Sequence, residues 1–123
     1  MKKSILIVDD DKMNLKITQM NLSQYGYDVH TVTSGMDAIS FLKQENVDLI
    51  LLDIEMPIMN GMKTLELIRK TPNVARTPVI FLTASAYKDS VIEASRLEAV
   101  DYVIKPFVPK ELYIRIEKAL SRK

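Results

Sequence analysis

Five short apolar runs recur at a steady interval, and that interval constrains the fold more than any other feature of the chain. They are ILIV (5–8), VHTV (29–32), VDLILLD (47–53), VIFLTA (79–84) and YVIK (102–105). Between them, apolar residues fall at helical spacing. Leu15, Thr18 and Leu22 share one period in residues 12–24, with Met13, Ile17 and Met20 beside them. Ala38, Ile39 and Leu42 mark 36–44, and Met62, Leu65 and Ile68 mark 62–70. Val91, Ala94 and Leu97 mark 88–97; Leu112, Ile116, Ala119 and Leu120 mark 109–121. Near-continuous apolar strands belong in a sheet buried on both faces, which is a parallel sheet. Right-handed crossovers then put helices on both sides. The pattern predicts a doubly wound α/β domain with a five-stranded parallel sheet. Breakers agree with it: YGYD precedes the second strand, TSG the second helix, MPIMNG the third helix and RTP the fourth strand.

A chain of 123 residues with 47% apolar residues suits one core, and residues 1–123 read as a single domain. The net charge is +1, which gives no overall argument for nucleic acid or an anionic membrane. Without cysteine, no disulfide, thiolate nucleophile or Cys-zinc site is possible. No segment approaches the roughly 20 apolar residues of a membrane span. The lysines and apolar run of MKKSILIVDDD stop too soon for a signal-peptide core. These features lead us to expect a soluble, cytoplasmic protein.

The chemistry collects where strands end. In a parallel sheet all carboxyl ends share one edge, and ligands bind there. Asp9 and Asp10 end the first strand, Asp53 the third, Thr83 the fourth and Lys105 the fifth. If these strands are neighbours, about 4.8 Å apart, their end residues ring one shallow pocket. Two carboxylates about 4 Å apart repel by roughly 4 kcal/mol at an effective dielectric of about 20. A small divalent cation offsets that repulsion, and Mg2+ prefers such hard oxygen ligands while keeping several waters. Mg2+ commonly bridges carboxylates and phosphate, so the open side of the pocket suits a phosphoryl group. Lys105 offers a positive charge to its oxygens and Thr83 a hydroxyl donor. An aspartate carboxylate can itself be the nucleophile and become an aspartyl phosphate.

ILIVDDD, LILLDIEMPIMNG, PVIFLTASA and DYVIKPF together resemble the receiver domain of two-component response regulators, over Lys3 to Leu120. The resemblance implies the flavodoxin-like (βα)5 fold with strand order 2-1-3-4-5. It implies that Asp53 accepts a phosphoryl group from a phosphohistidine on a histidine kinase or histidine phosphotransfer protein. Asp10 and Asp53 would hold Mg2+, or another small divalent cation such as Mn2+, directly. Asp9 would act largely through water, and the main-chain carbonyl of Glu55 would complete the protein ligands. Thr83 and Lys105 would hold the phosphoryl oxygens. Tyr102 would be a switch aromatic coupled to Thr83, and Pro106 would follow a cis peptide bond. The output surface would be the face of the fourth helix, fifth strand and fifth helix, around Tyr102, Ile104 and Lys105. The domain would be a monomer or a weak homodimer, would not bind nucleic acid directly, and would be a signalling switch rather than an enzyme. Asp9, Asp10 and Asn14 form a DDxxxN pattern similar to receivers attached to hybrid kinases. Three positions stand out: Glu98 stands where receivers commonly have glycine, and Glu55 and Ser85, two past Asp53 and Thr83, would tune how fast the phosphate is lost.

Other readings carry less. Asp11 reads as a helix cap, His30 as a structural or edge residue without a partner in sequence, and the seven methionines as core filler and loop anchors. Tyr102 could be only a packing tyrosine. A metal-dependent phosphatase with an aspartate nucleophile would want a second aspartate two residues on, where Glu55 stands, and 123 residues leave no room for a substrate cap. A flavin binder would want Ser, Thr or Gly where the first loop carries three aspartates. A partner-binding receiver without phosphorylation would lack Asp53, Lys105 or the acid pair, and all are present.

Overall fold

The computed structural model describes residues 2–83 and 100–121. Five parallel strands form one sheet in the order β2-β1-β3-β4-β5: β1 (Ser4–Val8), β2 (Asp28–Val32), β3 (Leu49–Asp53), β4 (Val79–Thr83) and β5 (Asp101–Ile104). The described helices are α1 (Lys12–Gln24), α2 (Gly35–Leu42), α3 (Gly61–Arg69) and the C-terminal helix (Pro109–Leu120), with a 3-10 turn at Pro72–Val74. The 88–97 segment with Val91, Ala94 and Leu97 lies outside the described residues, as do Ala84, Ser85, Glu98, Arg122 and Lys123.

The alternation of side chains along each strand splits the core into two layers. Ile5, Ile7, Leu49, Leu51, Ile80 and Leu82 face Leu15 and Leu22 of α1 and Leu112 and Ile116 of the C-terminal helix. Leu6, Val8, Ile50, Leu52, Val79 and Phe81 face Ala38 and Leu42 of α2 and Leu65 and Ile68 of α3. β3 and β4 are buried throughout, as are all residues of β1 after Ser4. Truncating one of these side chains, Leu52→Ala for example, costs about 2–5 kcal/mol.

Local sequence sets the helix ends. Asp11 caps α1, accepting hydrogen bonds from the Met13 N–H at 2.9 Å and the Asn14 N–H at 3.2 Å. Ser34 and Asn60 cap α2 and α3 in the same way. Pro109 opens the C-terminal helix, where its missing N–H is not needed. Gly26 ends α1 at φ +91°, with the Gly26 N–H on the Ser23 carbonyl and the Tyr27 N–H on the Leu22 carbonyl.

Three sequence expectations change. β3 begins at Leu49 rather than Val47; α2 and α3 each start one residue early, where Ser34 and Asn60 cap them, and end at Leu42 and Arg69. Met13, Ile17 and Met20 do not join the core; they lie on the outer side of α1, and Met36 is exposed as well. Neighbourhood on a helical projection does not put a residue on the buried arc, and the arc of α1 is used up by Leu15, Thr18 and Leu22. His30 does have a partner: its Nε2 lies 3.3 Å from Asp28 Oδ2, two residues earlier on the same strand face, and its ring meets Phe41.

Candidate functional site

Strand register builds the site. Val8 pairs with Leu52, so Asp9 and Asp53 stand one step further on, side by side. Asp53 pairs with Leu82 and Thr83 with Ile104, so Thr83 and then Lys105 follow across the sheet edge. Asp53 and Thr83 are the last residues of β3 and β4; Asp9 and Lys105 fall just past β1 and β5. The Lys105 N–H donates to the Thr83 carbonyl at 2.7 Å, and the Lys105–Pro106 bond is cis, as expected.

Carboxylate oxygens of Asp9, Asp10 and Asp53 lie within 4.8 Å of one another. Asp9 and Asp53 are buried at 3% and 4% exposure, while Asp10 is exposed. Asp9 accepts a hydrogen bond from the Asp11 N–H at 2.9 Å, and Asp53 accepts one from the Glu55 N–H at 3.2 Å. Lys105 Nζ lies 3.3 Å from Asp9 Oδ2 and 3.6 Å from Asp53 Oδ1. The Asp53 carboxyl is raised to about 7 in all: burial raises it most, Lys105 lowers it, Asp9 raises it, and the Glu55 N–H lowers it. Three hard oxygen donors on one side and one ammonium on the other suit a small divalent cation with a ligand of its own.

Gly61 makes room for Asp53. Its N–H donates to the Ile54 carbonyl at 2.9 Å, and a Cβ there would overlap the Asp53 carbonyl oxygen and stand 2.8 Å from Ile54 Cα. The MPIMNG segment, read from sequence as a breaker before the third helix, thus brings the β3–α3 loop against the Asp53 main chain.

Thr83 is 1% exposed, and its hydroxyl lies 2.9 Å from each carboxylate oxygen of Glu55. From sequence, Glu55 has a main-chain ligand role and, by the resemblance, a place among the residues that tune phosphate loss, but not a contact with Thr83. Its side-chain contact spans 28 residues and left no signal in spacing. Tyr102 is half-buried, packs against the α2–α3 side of the core, and pairs in register with Phe81. A cavity of about 590 Å³ opens beside the acids, lined by Asp9, Asn14, Ile17, Leu82, Lys105 and Phe107 among others. No helix among the described residues is long and apolar enough to cross a membrane.

Comparison with known proteins gives a consistent result. The family profile of the response regulator receiver domain matches residues 5–117. Two curated relatives are named probable transcriptional regulator ycf27. The one from Guillardia theta is 42% identical over 98% of this chain and 46% of its own length. The one from Porphyridium aerugineum is 39% identical over 98% of this chain and 49% of its own. The chain thus spans about half the length of these relatives. Among solved structures, the chemotaxis protein CheY4 of Vibrio cholerae superposes with a TM-score of 0.93 at 25% identity, covering 97% of this chain and 99% of that one. A receiver domain of a sensor histidine kinase from Pseudomonas aeruginosa, solved with magnesium coordinated in its active-site cleft, has a TM-score of 0.91 at 29% identity, covering 99% and 100%.

Proposed function

Since the chain belongs to the response regulator receiver domain family, we propose that Asp53 is its phosphoacceptor and that residues 1–123 act as one phosphorylation switch. The observation that carries this is the meeting of three carboxylates within 4.8 Å, with the Lys105 ammonium 3.6 Å from Asp53. A carboxylate oxygen of Asp53 attacks the phosphorus of a phosphohistidine on a histidine kinase or phosphotransfer protein. An O–P bond forms, the P–N bond breaks, and its electron pair stays on the imidazole nitrogen, which takes up a proton. The product is an aspartyl phosphate.

Phosphoryl transfer has a loose transition state with charge on its equatorial oxygens, so the site works by positioning and neutralisation. The donor set fits Mg2+: Asp10, Asp53 and the Glu55 carbonyl would hold it, with Asp9 acting largely through water, and it would supply charge neutralisation when bound. Lys105 neutralises from the other side. Thr83 donates its hydroxyl to a phosphoryl oxygen. Asp9, held by the Asp11 N–H, keeps Lys105 in place. The phosphoryl group then biases a two-state equilibrium in which Tyr102 follows Thr83. The readout face is β5 and the C-terminal helix, around Tyr102, Ile104 and Lys105, and the same face serves any weak self-association. The chain promotes its own phosphorylation and dephosphorylation and turns over no other substrate. A net charge of +1 gives no overall argument for direct nucleic-acid binding, and we place the chain in the cytoplasm.

Intact mass after incubation with acetyl phosphate and Mg2+ tests this reading. One phosphoryl adduct, dependent on Mg2+ and absent from Asp53→Asn, is expected. Folded protein that takes up neither phosphoryl nor beryllofluoride would make the chain a partner-binding module instead.

A further inference from the structure

Both carboxylate oxygens of Glu55 close on one hydroxyl, that of Thr83, at 2.9 Å each. The contact joins an exposed acid to a threonine at 1% exposure, so Glu55 reaches in from the rim and covers Thr83. Its main-chain N–H meanwhile donates to Asp53 Oδ1, so one residue touches both the reacting carboxylate and the threonine that serves it. A threonine hydroxyl has one proton to give. While that proton goes to Glu55, it cannot go to an oxygen of a group on Asp53. A phosphoryl group there brings about 1.5 to 2 negative charges, which repel the Glu55 carboxylate. The Thr83 carbonyl is held by the Lys105 N–H, so the exchange falls to the side chains.

We propose that Glu55 is a latch on Thr83. In the unphosphorylated chain its carboxylate occupies the Thr83 hydroxyl. Seating a phosphoryl group on Asp53 requires that hydroxyl to be released, and the Glu55 carboxylate swings to solvent at the rim. The latch makes the resting state selective: a weakly bound anion does not displace Glu55, while a group bonded to Asp53 does. Its opening also carries a negative charge to the surface, where a partner can read it. The proposal rests on the phosphoacceptor reading of Asp53.

Calorimetric titration with beryllofluoride at saturating Mg2+ tests it on four proteins: wild type, Glu55→Ala, Thr83→Ala and the double variant. Urea unfolding of each checks that all are folded. Removing a charge-assisted competitor tightens the apparent Kd of Glu55→Ala by about 5- to 10-fold. In the Thr83→Ala background the same substitution changes it less than about twofold, because no hydroxyl is left to release. An equal shift in both backgrounds overturns the latch, since Glu55 then acts by charge alone. No shift in either background overturns it too. If folded wild type and Glu55→Ala both fail to bind beryllofluoride, the phosphoacceptor reading falls and the latch falls with it; binding by all four with additive effects removes the latch alone.

Discussion

The Lys105 ammonium sits 3.6 Å from Asp53 Oδ1 with its side chain 23% exposed, and it is shared with Asp9 at 3.3 Å. One cation therefore balances two buried carboxylates from two other strands. Lys105→Met leaves those acids facing each other. Without divalent cation, at pH 8, the variant is expected to lose about 1–3 kcal/mol of stability. Millimolar Mg2+ should recover part of the loss by supplying the missing charge. Urea unfolding with EDTA and with Mg2+ measures both. Equal stability of variant and wild type in EDTA counts against the pairing.

Asp53 has a carboxyl raised from 3.8 to about 7, by burial first. The folded, metal-free chain thus holds this proton more tightly than the unfolded chain does. Stability from the proton is fully present below about pH 4 and is lost as pH rises through 7. Asp53→Asn cannot ionise. Its melting temperature in EDTA should match wild type near pH 4.5 and exceed it by several degrees at pH 8. A gap that does not change with pH would contradict the assigned burial and charge.

Gly61 leaves no space for a side chain beside the Asp53 carbonyl and Ile54 Cα. Gly61→Ala forces the β3–α3 loop or the end of β3 to move. We expect about 1–3 kcal/mol of destabilisation and weaker beryllofluoride binding than in an equally destabilised core variant such as Leu65→Ala. Matching affinities in the two would mean that the loop moves and Asp53 does not.

Ile58 stands fully exposed at φ +69°. A β-branched residue pays in that region what glycine does not, about 1–2 kcal/mol. Ile58→Gly is expected to raise stability by up to about 1 kcal/mol, since the glycine's unfolded-state freedom takes back part of the gain. Thermal unfolding decides it, and a loss of stability would show that the isoleucine side chain packs in solution.

The alternation of five apolar runs with helical spacing was enough to predict strands, helices and a sheet covered on both faces, because burial on two sides demands apolar residues at every strand position. Asp9, Asp10, Asp53, Thr83 and Lys105 were legible for a related reason: in a parallel sheet, the residue that ends each strand must lie at the common edge. Asp11 as a cap could be read from its place before α1, since capping is a contact within one turn.

Contacts between distant segments had no such local trace. Adjacency of β1 with β3 and of β4 with β5 sets Asp9 beside Asp53 and Lys105 within reach of both. The burial of Asp9 against the exposure of Asp10 follows from which neighbour turns inward, a matter of one residue that three identical aspartates do not encode. Met13, Ile17 and Met20 were drawn into the core by helical spacing, yet only packing against the sheet decides which arc of α1 is covered. The Glu55 carboxylate on Thr83 needs the β3–α3 loop and the end of β4 brought together by the sheet. Residue types and periods determined what this chain can form and which groups it offers at one edge. The tertiary structure decided which of those groups touch, because contact depends on strand order and register, and these follow from the packing of the whole core.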